Sequence, residues 1–231
     1  MNENVNNNNQ NNNFNLSPRS GNIMLTLKTS LFLACLIGLF YSIFAVEPST
    51  TVTPVQSVPY LDMILKENEK YLAQDFIAYR NHCYRVYNIA LGLFPKPPPK
   101  QVQEIFAIAV AFHDLGIWTD DTIDYLPPSS KLAENWLKKH SRTSDLELVY
   151  LLIENHHKIT TYTGKHEELV EIFRKADWID FTLTIRNFGV ERSDIYAYTA
   201  PFPNKGFHQA LFKMLIKSTF RLQQPFPMFK F

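Results

Sequence analysis

Apolar residues recur at three- and four-residue spacing through most of the chain after residue 58, with no alternating run of useful strand length. The pattern predicts helices over Tyr60–Asp75, Ile77–Leu93, Gln101–His113, Ser130–His140, Asp145–His157, His166–Thr184 and Phe207–Leu222. Pro95–Pro99 separates the second helix from the third. Ile105–Phe112 is apolar throughout, as a buried helix requires. Gly116–Pro128 is rich in aspartate and reads as a loop, and Ser144-x-x-Glu147 reads as a capping box at the start of the fifth helix. Tyr196–Phe231, with prolines among phenylalanines, is expected to pack over the helical core, with lining of the substrate pocket or a dimer contact as the alternatives. The expected fold class is all-α.

The first part of the chain has a different pattern. Met1–Asn22 is dominated by asparagine and buries too little apolar area to offset chain entropy, so disorder is expected. Leu31–Val46 is almost wholly apolar, and with Ile23–Ser30 it is long enough for a membrane span interrupted by Lys28. Two readings stand: a signal anchor over residues 23–46, or the apolar region of a signal peptide cleaved near Ala45. Arg19 and Lys28 precede the apolar run Leu31–Val46 and Glu47 follows it, which places the C-terminal domain outside the cytosol. Against that orientation, no N-x-S/T acceptor follows the segment. The expectation is a single-pass membrane protein of open orientation, with secretion as the alternative. Glu47–Val58 is a polar, proline-bearing linker, and the globular domain is expected from Pro59 to Phe231.

Composition narrows the function. The net charge is +1, so no basic surface points to nucleic acid. Of the 2 cysteines, Cys35 lies in the apolar segment, leaving Cys83 without a partner in the domain. That excludes a disulfide scaffold and a cysteine-ligated zinc site. Cys83 itself reads as a buried residue rather than a redox thiol.

The chemistry lies in an ordered series of histidines and aspartates. His113-Asp114 ends the most apolar helix, where two ionisable groups would be costly if unpaired. His82 precedes the pair, and the doublet His156-His157 and then Asp177 follow it. His82, His113, one or other ring of the doublet and Asp177 fall at inner-facing positions of four separate predicted helices. Histidine and carboxylate together suit a divalent Fe, Mn, Co, Ni or Zn ion. Neighbours on a helix diverge, so both members of the doublet need not meet one ion. His140, His166 and His208 read as structural, with His140 an option for a second metal.

Arg80-Asn-His-Cys-Tyr-Arg-Val86, Ala111-Phe-His-Asp-Leu-Gly116, Glu154-Asn-His-His-Lys158 and Lys175-Ala-Asp177 resemble, in order, the motifs of the HD-domain superfamily of metal-dependent phosphohydrolases. The resemblance spans about Pro59–Asp180 and implies an HD-domain-like helical bundle. It implies that His82, His113, Asp114 and Asp177 ligate one metal, with Asp114 bridging to a second ion held by His156 and His157. Asp114 is the implied catalytic group. Members with a lysine soon after the HD pair differ from this chain, which has Gly116-Ile-Trp118 there. The implied activity is hydrolysis of a phosphoester, a nucleotide or small phosphate compound, by a metal-activated water. Arg85, Lys158 and Lys175 are the nearest cations for the developing charge. Other HD-fold proteins hydrate a nitrile-like carbon or oxidise a substrate with two irons, and a non-catalytic, membrane-tethered metal-binding module is a third reading.

Overall fold

The periodic apolar positions fold as helices. The computed structural model describes residues 53–220 and 227–231, all within one unit, Glu47–Phe231. The asparagine-rich segment, residues 23–46 and the start of the linker lie outside the described residues. In chain order the helices are α1 (Pro59–Glu67), α2 (Glu69–Leu72), α3 (Phe76–Leu93), α4 (Lys100–Phe112), α5 (Gly116–Thr119), α6 (Leu126–Lys139), α7 (Leu146–Asn155), α8 (Glu167–Phe181), α9 (Arg192–Thr199) and α10 (Phe207–Phe220). Among the described residues no strand forms; an isolated parallel bridge joins Lys158 and Lys230.

The all-α expectation is met. Helix α4, buried from Ile105 to Phe112, is the spine of the core. Helices α1, α3 and α7 pack against it, α8 lies along α3, and α6 lies along α7. Burying an apolar side chain of this kind contributes about 1.5–3 kcal/mol, so the most apolar segment takes the centre.

Several local expectations are corrected. The helix expected over Tyr60–Asp75 is broken twice. Asn68 turns its amide back to donate to the Ile64 carbonyl at 2.9 Å and ends α1, and Ala73 takes φ 47°. The Gly116–Pro128 loop holds the short α5 and the start of α6, whose first turn accepts Pro127 because its N–H groups have no intrahelical partner. The capping box does not form. Ser144 Oγ donates instead to Asp145 at 3.3 Å, and Glu147 pairs with Lys165. Helix α9 has no clear apolar period in the sequence and was not expected.

The single-pass membrane localisation is also corrected. Among the described residues no helix is long and apolar enough to cross a membrane. Helix α4, buried from Ile105 to Phe112, has 13 residues, about 20 Å of rise against a hydrocarbon core of about 30 Å. Helix α3 has 18 residues but carries Arg80, His82 and Arg85.

Candidate metal centre

Six side chains from four parts of the fold converge. His82 lies midway along α3, His113 caps the C-terminus of α4 and Asp114 follows it, while Asp177 faces inward from α8. Helix α7 ends at Asn155, so His156 and His157 lie in the turn beyond it. His156 keeps helical dihedrals, so the two rings diverge and each reaches a different carboxylate, His156 meeting Asp114 and His157 meeting Asp177. All six residues are buried. Tyr79 fixes the end of α4: its hydroxyl donates to the Ala111 carbonyl and accepts the Asp114 N–H, each at 3.2 Å.

The hydrogen bonds set the tautomers. Nδ1 of His113 donates to the Val110 carbonyl at 2.7 Å, Nδ1 of His156 to the Ile153 carbonyl at 2.6 Å, and Nδ1 of His82 to Asp180 at 2.7 Å. Neutral rings so arranged present Nε2 lone pairs to the centre, the form in which histidine binds metals.

The Nε2 atoms of His82 and His113 stand 3.0 Å apart. Asp114 Oδ2 lies 3.5 and 3.3 Å from them, and Asp177 Oδ1 lies 3.5 Å from each. Ligands about 2.0–2.2 Å from one transition-metal ion stand about 3–3.5 Å from each other, so these separations suit a single ion. The other carboxylate oxygens turn toward the doublet, with Asp114 Oδ1 at 3.3 Å from His156 Nε2 and Asp177 Oδ2 at 3.7 Å from His157 Nε2. Asp114 Oδ1, Asp177 Oδ2, His156 Nε2 and His157 Nδ1 are buried without a hydrogen-bond partner. Unsatisfied buried polar atoms are costly, and a cation would satisfy several together. The donor set thus fits the test of a metal site: the buried His/Asp groups could hold a metal ion.

Burial disfavours the charged form of His113, but Asp114 and Asp177 outweigh it and hold its pKa up to about 10. Burial opposes ionisation of Asp114, yet His113 keeps that carboxyl well below the usual carboxylate range. Burial and then His156 push His157 down to about 3, so that ring is neutral.

Asp180, which the sequence reading passed over, holds the site from behind. It accepts the His82 Nδ1–H and two bonds from Arg85, at 2.6 and 2.8 Å. Burial opposes its ionisation, but Arg85 dominates and lowers it strongly. Its signal was its place three residues after Asp177, on the same helical face. The ring of Phe207 stacks on His82 at 3.9 Å from the other side.

The cations expected near substrate are not among the described residues lining the cavity beside the cluster. Arg85 is taken up by Asp180 and the Phe202 carbonyl, and Lys175 pairs with Glu171 at 3.8 Å. The Lys158 backbone carbonyl accepts from Arg174 and Trp178. None of the three lines the cavity that opens at Asp114 and His157. That cavity, of about 260 Å³, is walled by Ile117, Tyr125, Phe181, Leu211, Met228 and Phe229 among others. His208 also faces it. His140 stacks on Trp136, outside the metal-binding groups, and His166 starts α8. Cys83 is buried, its thiol donating to the Val110 carbonyl at 3.3 Å.

No protein-family model matches this chain, and comparisons with curated proteins and with solved structures find no match.

Proposed function

We propose that this protein is a metal-dependent hydrolase on the HD-domain plan, acting on a phosphoester of a small molecule. The observation that carries the reading is the set of Nε2 lone pairs and carboxylate oxygens directed at one another with ligand-like spacing. His82, His113, Asp114 and Asp177 would hold one divalent ion, and Asp114 and Asp177 would share a second with His156 and His157. When bound, such an ion lowers the pKa of its water and polarises a phosphoryl oxygen.

The chain's own groups orient and protonate. Asp180 and the two backbone carbonyls fix the histidine tautomers. Burial raises the Tyr125 phenol well above its ordinary pKa, with Asp114 adding to the effect, so it keeps its proton at the cavity wall. It is placed to donate to the substrate or leaving group. Asp114, facing both donor groups and the cavity, is the candidate to orient the attacking water.

A second reading, a hydratase or di-iron oxygenase on the same plan, draws support from the apolar cavity, which has no lysine or arginine among its described lining residues. Elemental analysis of the purified full chain is the test, followed by assay on phosphoesters. One or two equivalents of a transition metal, with loss of metal and of hydrolysis in His113→Ala and Asp114→Ala, is the expected result. A folded protein that takes up no metal would refute the hydrolase reading. Metal with dioxygen consumption and no phosphate release would favour the second.

A further inference from the structure

The cavity beside the metal groups has walls that select for more than reactivity. Among the described residues the polar side chains facing it are Asp114, Tyr125, His157 and His208, and the first three cluster at the metal end. Elsewhere the described lining is hydrocarbon, aromatic ring or thioether, including Phe181, Leu211, Met214, Met228 and Phe229. His208 adds no charge: Nδ1 meets the Asn204 amide at 2.5 Å and Nε2–H donates to the Phe181 carbonyl at 3.0 Å. Burial lowers its pKa, which keeps the ring neutral.

Size adds a second limit. An apolar cavity of about 150 Å³ already admits benzene, so the about 260 Å³ here has room for one ring and a compact head group. A sugar or polyphosphate body would leave its hydroxyls or charges against hydrocarbon without partners.

We propose that the substrate's non-reacting part is a small, uncharged, apolar body, aromatic or alicyclic, lying between Phe181, Leu211, Met214 and Met228 with its reacting group at Asp114 and His157. The assignment rests on the proposed hydrolase for the reacting end, whereas the selectivity belongs to the walls. Thioether side chains adapt to the outline of such a body, and Phe212, 61 % exposed, stands at the mouth.

The test uses the full chain and separates the two parts. Phenol and glycerol are titrated against metal-free protein by ligand-observed NMR, and phenyl phosphate and glycerol 2-phosphate are compared as substrates of the metal-loaded protein. Phenol should bind at least roughly tenfold more tightly than glycerol, and Leu211→Lys should weaken phenol by roughly tenfold or more. Met228→Lys, which lies outside the helices, should do the same and guards against a folding defect in the first variant. Phenyl phosphate should exceed glycerol 2-phosphate in kcat/KM by a similar factor. If phenol binds, the variants abolish binding and neither phosphate is cleaved, the cavity assignment stands and the hydrolase fails. Equal binding of phenol and glycerol, or phenol binding untouched by both variants, overturns the proposal.

Discussion

His82 has its Nδ1 proton committed to Asp180, and this single bond decides which nitrogen faces the centre. Asp180→Asn keeps the shape but loses the charge that orients the ring. Metal affinity should fall by about 10–100-fold, read by chelator competition. Glu171 offers a pH test away from the cluster. Burial opposes its ionisation, but the paired Arg174 guanidinium, at 2.5 and 2.8 Å, leaves its pKa lowered. A depressed folded pKa adds stability that is full above the unfolded value of about 4.3 and is lost as pH falls through the folded one. Glu171→Gln should therefore cost about 2 kcal/mol at pH 7, and its urea midpoint should converge on the wild type as pH drops below about 4. At this scale the sequence was informative where a residue type has few roles. His113 with Asp114 at the end of an apolar helix signals ligation, whereas Arg85, between a buried carboxylate and a carbonyl, looks from sequence like any cation near the motif.

Elements carry the next part of the site. The apolar period of Ile105–Phe112 located α4, but not the tight turn after it. Gly116 lies where that turn meets α6, and a Cβ there would meet the Tyr125 carbonyl oxygen at 2.5 Å and Ser129 Oγ at 2.9 Å. Backbone cannot yield as a side-chain tip can. Gly116→Ala should destabilise by at least about 2 kcal/mol in chemical denaturation, and should weaken metal binding because Asp114 and Tyr125 would move apart. The early end of α7 was illegible for a related reason. Leu146–Ile153 continues a helical period up to the doublet, and nothing in that period marks Asn155 as the last residue of the helix. The failed capping box shows the same limit, since Glu147 found Lys165 from a distant segment.

On the scale of the whole molecule, the all-α class was legible and the contents of the cavity wall were not. Leu211, Met228 and Phe229 reach it from the C-terminal part, for which the sequence favours packing over the core and leaves a place in the substrate pocket only as an alternative. If the centre binds metal as proposed, binding is coupled to folding because the unfolded chain has no such constellation. Removing the ion with a chelator should lower the melting temperature by about 5–10 °C, the size expected when an ion at about a hundred times its Kd is taken away. Unchanged melting in a protein shown to have held metal would break that coupling.

The six donors come from separate elements, α3, the end of α4, the turn after α7, and α8, with all of them inside the core. With its other sides closed by the core, the way out for an ion bound there is the cavity that meets Asp114 and His157. A molecule filling that cavity would therefore slow isotope exchange of the ion as well as keep water from it.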